Sequence, residues 1–242
     1  MELLRPRHLV FVRHGESEGD IRRQAGAQAL KHPKNEEQTE RGHRQSRAAG
    51  VWIAGYVLAA YGFDQFDRYL TSPLIRTKQS AKSCGLSDNW QDEPRLSERD
   101  RGAIQGMTRQ KHQQLFPKSY QQMLDYPFHW TPPDGESLLK VSARLTGMLL
   151  ELNKNYHTAL IMTHRDVMWA AHMSIDGLDL DEIERVDTDQ ISNGYIMHYT
   201  NVSPHDGSID ENLRWKRSAD PCLSQGSASP SSDWADLRTA LV

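Results

Sequence analysis

Short apolar runs and longer amphipathic stretches follow one another along this chain of 242 residues. Residues 8–12 form an apolar run that is too short for a helix and contains two valines and a phenylalanine, so the pattern predicts a buried parallel strand. Residues 68–70 and 159–162 are similar short β-like segments, and residues 194–199 alternate in character as a late strand would. The pattern therefore predicts several short strands spread over most of the chain.

Apolar residues at helical spacing predict the longer elements. Thr39 is suited to cap a helix that runs to about residue 60, and the partly apolar face of this helix would cover one side of a sheet. Ser137 is suited to cap the most clearly amphipathic helix of the chain. Asp166 opens a further helix directly after the third β-like segment.

The remaining stretches are polar, charged or rich in small residues. Residues 21–38 are polar and predict irregular structure, and residues 86–104 predict a charged loop. Residues 107–130 predict a helical excursion, which we interpret as a cap over a pocket, inserted at about residues 105–133. Residues 218–233 are rich in Ser, Pro and Gly, which is typical of a flexible segment.

The length and composition favour one large domain with a tail. A chain of this length can bury a full core without dividing into two domains, so we expect one domain over residues 1–217 and a C-terminal tail over residues 218–242. Hydrophobic residues make up 37% of the chain, charged residues make up 25%, and the formal net charge is -3. This composition predicts a soluble, slightly acidic protein and argues against nucleic acid as a main partner.

Cysteine usage and the lack of long apolar runs bear on the compartment. Cys84 and Cys222 lie far apart and have no metal-ligand spacing, which favours a reducing compartment without disulfides or zinc. No apolar run reaches membrane-spanning length, and the candidate active residues begin at Arg13, which leaves no room for a cleaved signal peptide before them. We therefore expect a cytoplasmic protein with no membrane partner.

Three of the predicted strands lead into residues that can bind phosphate. Arg13 and His14 follow the first segment, Arg76 lies shortly after the second, and His164 follows the third. In an α/β protein the ligand pocket lies outside the carboxyl ends of the strands, so these side chains would face one pocket. Ser72, with a proline after it, fits the N-cap of a helix whose N-terminus points toward the same anion site.

These residue types suit phosphoryl transfer, which needs fixed cations and a nucleophile because negative charge spreads over three oxygens. His14 is the natural nucleophile, since a neutral imidazole nitrogen can attack phosphorus. Neighbouring positive charges should lower its pKa and keep it neutral. Arg13, Arg76 and His164 can supply the cations, and Glu98 in the charged loop is the candidate that protonates the leaving oxygen.

The ordered motifs of the chain resemble those of the histidine phosphatase superfamily, in its phosphoglycerate-mutase-like branch. The similarity covers roughly residues 8–200 and includes these segments: Arg13-His14-Gly15-Glu16-Ser17, Ser72-Pro73-Leu74-Ile75-Arg76-Thr77, Leu96-Ser97-Glu98-Arg99, Gly135-Glu136-Ser137 and Thr163-His164. Arg-His-Gly alone is a weak signal, but the ordered set is specific.

The resemblance implies a fold and a set of residue roles. The fold would be a three-layer α/β/α sandwich around a mostly parallel sheet. The resemblance assigns the phosphoryl-carrying role to His14 and the acid/base role to Glu98. Arg13, Arg76 and His164 match phosphate-binding residues of the family, and His164 is also counted with the catalytic residues. No metal or other cofactor is implied.

Four further residues form the candidate substrate-binding set. They are Ser17, Asp20, Glu136 and Arg165. Many relatives have Asn where Asp20 stands, and a carboxylate there would repel a phosphate oxygen unless it binds a substrate hydroxyl or turns away. Glycine commonly follows the second histidine, whereas Arg165 could meet a second anionic group or point to solvent.

Three functional hypotheses follow from this pattern. The first is a metal-independent phosphomonoesterase that acts on a small phosphorylated metabolite through a phosphohistidine at His14. The second is a cofactor-dependent phosphoglycerate mutase, but the chain between Glu98 and Gly135 is shorter than expected for one and lacks its basic segment. The third is a catalytically silent protein that binds a phosphorylated ligand, for which Asp20 and Arg165 are the hints. No feature of the sequence indicates an oligomeric state.

Overall fold

The computed structural model describes residues 7–27, 35–178, 182, 190–222 and 233–237. Within these residues the chain forms one seven-stranded sheet with the order β3-β2-β4-β1-β5-β6-β7. The strands are β1 (His8–Arg13), β2 (Arg68–Thr71), β3 (Gln91–Asp92), β4 (Thr158–Thr163), β5 (Ile196–Thr200), β6 (Trp215–Ala219) and β7 (Ala235–Asp236). The first four strands in this order are mutually parallel, whereas β5, β6 and β7 pair antiparallel with their neighbours. Five of the seven described strands therefore run in the same direction, which makes the sheet mostly parallel.

Helices cover both faces of the sheet. The described α-helices are α1 (Glu18–Gln24), α2 (Glu40–Ile53), α3 (Ala59–Tyr61), α4 (Ile75–Cys84), α5 (Arg109–Leu115), α6 (Pro117–Asp125), α7 (Leu138–Asn155) and α8 (Arg165–Ser174). A π-helical turn, Ala54–Leu58, joins α2 to α3, so the helix predicted from Thr39 to about residue 60 is confirmed as one nearly continuous element. The helix predicted after Ser137 is confirmed as α7, with the Ser137 side chain accepting from the Lys140 N–H.

Alternate residues of the central strands point into two separate cores. Val10 and Val12 of β1 pack on the side of α2 and α4, together with Trp52 and Ile53. Phe11 faces the opposite core, which is formed with α7 and α8. A parallel strand that is buried on both faces requires this nearly continuous apolar run. The predicted three-layer α/β/α sandwich is therefore confirmed.

The antiparallel edge continues past the predicted end of the domain. Strand β6 extends to Ala219, two residues beyond the expected boundary at residue 217, because its backbone pairs with β5 over its whole length. Strand β7 pairs in turn with β6, and Leu237 is buried in the core to which α7 and α8 contribute. Most of the segment predicted to be flexible, residues 223–232, lies outside the described residues.

Two local predictions were wrong. Residues 21–24 belong to α1 rather than to irregular structure, because Ser17 and Asp20 form a reciprocal capping box at its start. Helix α4 begins at Ile75 with Leu74 as its N-cap and no side-chain cap. Ser72 is therefore not the N-cap. Its hydroxyl instead lies 2.9 Å from Nε2 of His164.

The predicted charged loop, residues 86–104, contains β3 and two short 3-10 turns, Pro94–Leu96 and Gly102–Ile104. The cap segment contains α5 and α6, and Trp130 at its end is buried. No helix in the described parts of the chain combines the length and the apolar character that crossing a bilayer requires.

Candidate active site

Three neighbouring strand ends bring the predicted phosphate-binding residues together. His14 follows β1, Arg76 lies in the first turn of the helix after β2, and His164 follows β4. Because β2, β4 and β1 are adjacent in the sheet and parallel, their carboxyl ends meet at one edge. All three side chains are buried, with 3%, 4% and 0% of their surfaces exposed.

Hydrogen bonds define which nitrogen of His14 carries the proton. Nδ1 lies 2.8 Å from the carbonyl oxygen of Gly15, and since a carbonyl only accepts, Nδ1 must donate. Nε2 accepts from Nε of Arg76 at 3.2 Å. Burial, reinforced by the positive charges of Arg76 and Arg13, lowers the pKa of His14 to about 3. His14 is therefore a neutral imidazole with the lone pair on Nε2, the form that can attack phosphorus.

Arg76 links the two histidines. Its Nη2 donates to Nδ1 of His164 at 3.2 Å, while Nε2 of His164 donates to the Ser72 hydroxyl at 2.9 Å. The two imidazole rings meet edge to face with their centroids 5.1 Å apart. Burial, together with Arg76, lowers the pKa of His164 well below its usual value. His164 is therefore neutral as well, and Arg76 is the cation between the rings.

Arg13 is held at the edge of this cluster by Asp20. Nη1 of Arg13 donates to the carbonyl of Ile191 at 2.7 Å and Nη2 donates to Oδ1 of Asp20 at 3.0 Å. Its Nε is buried and has no hydrogen-bond partner in the described part of the chain. A buried guanidinium donor without a partner suits a ligand oxygen, because leaving it unpaired costs free energy.

Asp20 is turned away from the candidate nucleophile's reactive nitrogen and serves as an acceptor for several donors. Its Oδ2 accepts from the backbone N–H and the hydroxyl of Ser17, at 2.9 and 2.8 Å, and from Nδ2 of Asn193 at 3.1 Å. Burial alone would raise the pKa of Asp20, but the positive charge of Arg13 and nearby groups outweighs it, so the pKa lies well below its usual range. Asp20 is therefore an ionised partner of Arg13.

Glu98, the predicted acid/base residue, lies close to His164. Its Oε2 is 3.9 Å from Nδ1 of that histidine and its Oε1 accepts from the Arg99 N–H at 3.0 Å. The loop that carries it is tied to β4 by a bond from the Thr163 hydroxyl to the Leu96 carbonyl, at 2.9 Å. Burial and the nearby carboxylate of Asp166 raise the pKa of Glu98. A raised pKa favours the protonated form that a general acid requires.

Gly15 allows the backbone after His14 to approach α2. A Cβ atom at Gly15 would lie 2.1 Å from the carbonyl oxygen of Gly42, and one at Gly42 would lie 2.1 Å from the carbonyl of Glu16. Both distances are far shorter than any contact a real side chain makes, so each position requires glycine. The close approach fixes the backbone carbonyl that orients the His14 ring.

The four candidate substrate-binding residues do not form one group. Ser17 and Asp20 bond to each other at the start of α1. Both carboxylate oxygens of Glu136 accept from Arg144, Oε1 from Nε at 2.8 Å and Oε2 from Nη2 at 3.1 Å. Arg165 lies at the start of α8 with its Nε 3.9 Å from Oδ1 of Asp166.

Three buried residues that the sequence patterns did not indicate support the site. Asn193 donates to the His14 carbonyl at 3.1 Å as well as to Asp20. Glu36 lies 3.7 Å from Nη1 of Arg76, and burial raises its pKa against the opposing effect of that arginine. Gln45 accepts from the N–H of Glu16 at 2.8 Å. Asn193 stands in a turn-like Ser-Asn-Gly sequence, a signal for a turn rather than for a site.

In the described parts of the chain no three His, Cys, Asp or Glu side chains are grouped as a metal site.

Comparisons with known proteins bear on this arrangement. A family model described as the histidine phosphatase superfamily (branch 1) matches residues 9–203. The chain is similar to a 2,3-bisphosphoglycerate-dependent phosphoglycerate mutase of Bartonella quintana (strain Toulouse), at 29% identity over 208 residues, which cover 80% of this chain and 92% of the mutase. It is also similar to phosphoserine phosphatase 1 of Hydrogenobacter thermophilus, at 28% identity over 177 residues, which cover 71% of this chain and 77% of that protein.

A solved structure shares the fold at lower sequence identity. The alpha-ribazole phosphatase from Shigella flexneri superposes with a TM-score of 0.63 at 20% identity, covering 85% of this chain and 95% of that chain. At this identity the likeness concerns the fold alone, and it agrees with the sheet order and the helix layers described above.

Proposed function

The chain belongs to the histidine phosphatase superfamily, and from this premise we propose that it is a phosphomonoesterase that works through a phosphohistidine at His14. The proposed substrate is a small phosphorylated metabolite, and the proposed compartment is the cytoplasm. One observation carries the proposal: Nδ1 of His14 donates to the Gly15 carbonyl, so that Nε2 presents a lone pair beside Arg76. The same fixed tautomer would be needed in every turnover.

In the first step the Nε2 lone pair attacks the phosphorus atom of the monoester. The bond from phosphorus to the ester oxygen breaks, and the proton of the Glu98 carboxyl group passes to that oxygen as the alcohol leaves. Arg13 and Arg76 balance the charge that spreads over the three non-bridging oxygens. The raised pKa of Glu98 supports this role, because a larger fraction of the carboxyl group carries the proton near neutral pH.

In the second step the phosphohistidine is hydrolysed. The Glu98 carboxylate, having lost its proton, accepts one from a water molecule as the water oxygen attacks phosphorus. The bond between phosphorus and Nε2 breaks, which releases orthophosphate and restores the neutral imidazole. Burial of His14 and the nearby arginines favour its return to the neutral form.

A second candidate function is a mutase, and the relative from Bartonella quintana favours it. A mutase shares the phosphohistidine but returns the phosphoryl group to a second hydroxyl rather than to water. The phosphatase reading is supported by the short segment between Glu98 and Gly135 and by the similarity to phosphoserine phosphatase 1. Dependence on a bisphosphate primer separates the two.

The test is orthophosphate release from an aryl phosphate in the presence of a chelator. We compare the natural chain with His14→Ala and with His205→Ala, which removes an exposed histidine near β6 as a matched control. The expected result is turnover in the natural chain and the control, none in His14→Ala, and a phosphoryl mass increase on the peptide that contains His14. Full turnover by a folded His14→Ala variant would overturn the mechanism. If the natural chain releases no phosphate, a phosphoglycerate mutase assay with 2,3-bisphosphoglycerate as primer tests the mutase hypothesis. Binding of a phosphorylated ligand without turnover would indicate a catalytically silent binding protein.

A further inference from the structure

Glu36 is a buried carboxylate beside the candidate site that takes no part in the proposed reaction steps. It lies in the segment before α2 and exposes 7% of its surface, and its Oε2 is 3.7 Å from Nη1 of Arg76. The other two nitrogens of that guanidinium contact the histidines, Nε contacting Nε2 of His14 and Nη2 contacting Nδ1 of His164. One guanidinium group therefore separates Glu36 from the nitrogen that would carry phosphorus.

The carboxylate of Glu36 is held against the backbone of α1. A Cβ atom at Gly19 would lie 2.2 Å from Oε2 of Glu36 and 2.4 Å from its Oε1, so the carboxylate fills the space that a side chain at this position would need. A cavity of about 420 Å³ lies on the same side, and its lining includes Glu36, Glu18 and Arg22. Glu36 is therefore held close to Arg76 while water can still reach it.

Charged groups on two helices act on Glu36. Burial is the largest effect and raises the pKa of Glu36. Arg76 of α4 and Arg23 of α1 act in the opposite direction, whereas Asp20 and Glu18 of α1 raise the pKa further, and the net result is a raised value. Because Arg23 exposes 59% of its side chain, solvent screens its charge. Arg76 is therefore the main cation that favours the ionised form of Glu36.

A phosphoryl group at His14 would weaken this effect of Arg76. The negative oxygens of the group would pair with the Arg76 guanidinium and would lie close to the Glu36 carboxylate. When two anions share one buried site, the pKa of one of them rises strongly. A carboxylic acid donates a hydrogen bond through its O–H, whereas a carboxylate only accepts. A protonated Glu36 would therefore face the bound oxygens as a donor rather than as a second negative charge.

We propose that Glu36 takes up one proton from solvent when the phosphoryl group binds and releases it when that group leaves. Arg76 then has a carboxylate partner between turnovers, and the bound anion meets a neutral acid. The only bond that forms on Glu36 is the O–H bond, and water or buffer supplies the proton. This inference rests on the proposed function for the place of the phosphoryl group.

Sulfate binding provides the test, because sulfate remains a dianion over the whole pH range used and any proton taken up must go to the protein. We measure its affinity by calorimetry at pH 5, 7 and 9 for the natural chain, for Glu36→Gln and for Glu37→Gln, which removes the neighbouring exposed carboxylate. At each pH the titration is repeated in two buffers of different ionisation enthalpy, which gives the number of protons taken up. Arg76→Gln should abolish binding, since it removes the cation that pairs with the anion.

The affinity of the natural chain for sulfate should fall as pH rises, because binding requires a proton. The ratio of the two affinities, Glu36→Gln over the natural chain, should rise ~10-fold or more from pH 5 to pH 9, which corresponds to a pKa difference of about one unit or more between free and bound protein. The same ratio for Glu37→Gln should not change with pH. The natural chain should take up protons on binding, and Glu36→Gln should lack this uptake.

An affinity ratio for Glu36→Gln that does not change with pH would overturn the inference, and so would the absence of proton uptake by the natural chain at every pH. The second measurement needs no substitution, so it decides the question even if Glu36→Gln does not fold. Absence of sulfate binding to the natural chain, or unchanged binding in Arg76→Gln, would also overturn it, because no anion would then lie beside Glu36.

Failure of the proposed function has a different signature. The natural chain would then release no orthophosphate from an aryl phosphate, while sulfate binding would still show proton uptake that depends on Glu36. Sulfate binding requires no turnover, so the two results are independent.

Discussion

The histidines at the strand ends and the cap above them differ in how firmly they are held. His14 and His164 expose 3% and 0% of their surfaces and are connected through Arg76. In the cap, helix α6 has no buried residue, and Leu124 next to its end exposes 57% of its surface. Regions with few buried apolar contacts open at lower free energy than the core. The side chains at the strand ends are therefore held in fixed positions, whereas α6 has the exposed character of a segment that opens at lower free energy.

Glu98 lies between these two regions and shares properties of both. It approaches His164, yet it is carried by a loop and keeps 24% of its side chain exposed. Its neighbour Arg99 lines a cavity between the cap and the start of α8. The proposed acid/base group therefore lies between the buried histidines and a more accessible part of the surface, and substitutions of Glu98 should affect catalysis and stability differently.

The largest expected effect is that of Glu98→Gln. With an alkyl phosphate, whose leaving oxygen needs a proton, kcat should fall ~10²-fold to 10⁴-fold, the usual contribution of a general acid. An aryl phosphate should be affected less, because its leaving group is more acidic. The fall of kcat/KM with rising pH that reports deprotonation of Glu98 in the natural chain should disappear in the variant. Equal losses with both substrates would contradict the acid role.

The same variant should be more stable than the natural chain at neutral pH. The pKa of Glu98 is raised in the folded protein, so the folded state disfavours its charged form. The favourable contribution of the protonated group is complete below the ordinary glutamate pKa and is lost as pH rises through the raised value. Thermal unfolding should therefore show a higher Tm for Glu98→Gln than for the natural chain at pH 8, and this difference in Tm should vanish below pH ~4.5. Glu211→Gln, which removes an exposed carboxylate, is the control.

Arg76→Lys should come second in size. Lysine retains the charge but cannot donate to Nε2 of His14 and Nδ1 of His164 at once, since it lacks the planar fork of arginine. We expect kcat/KM to fall ~10²-fold to 10³-fold, the cost of losing one preorganised donor at a developing charge. Arg47→Lys on the exposed face of α2 is the matched control. A fall of less than tenfold in a variant with native circular dichroism would show that charge alone suffices.

Asp20→Asn should have a smaller effect, mainly on stability. The carboxylate accepts from Arg13, Ser17 and Asn193, and an amide would place a donor against one of these donors. We expect a loss of about 1–3 kcal/mol at pH 7. Because the pKa of Asp20 is lowered in the folded state, its contribution is present above the ordinary aspartate pKa and is lost as pH falls through the lowered value.

Urea unfolding at pH 7 and at pH 3 measures this difference, with the exposed Asp64→Asn as control. The difference in free energy of unfolding between Asp20→Asn and the natural chain should be smaller at pH 3 than at pH 7. A difference in free energy of unfolding that is independent of pH would mean that Asp20 acts through packing rather than through its charge.

The contrast between the two regions also explains what the sequence could predict. His14 and His164 directly follow strands, and Arg76 lies in the helix after a strand, so strand patterning alone placed them at one edge of the sheet. The residues that hold them are remote in sequence. Asn193 is 179 positions away from His14, whose carbonyl it contacts, and no local pattern links the two.

The hydrogen-bond partners of Glu136 and Ser72 could not be predicted from neighbouring residues in the sequence. Glu136 is predicted to bind substrate, and its two carboxylate oxygens accept from Arg144 in the second turn of α7, a contact that the sequence did not indicate. Ser72 satisfied the rules for an N-cap, yet its hydroxyl partners His164, 92 positions later. Local propensity identifies which residues are suited to a role, whereas tertiary contacts select among the partners that are available.

The smallest expected effect is that of Leu124→Ala in the cap. Since this side chain is largely exposed, the free energy of unfolding should change by less than ~0.5 kcal/mol. The same substitution at Leu145 of α7, which is fully buried between α8 and the sheet, should cost about 2–5 kcal/mol. Urea unfolding of both variants measures the difference between the regions directly. If Leu124→Ala cost as much as Leu145→Ala, the cap would be packed as firmly as the core, and access to His14 would have to come from another part of the molecule.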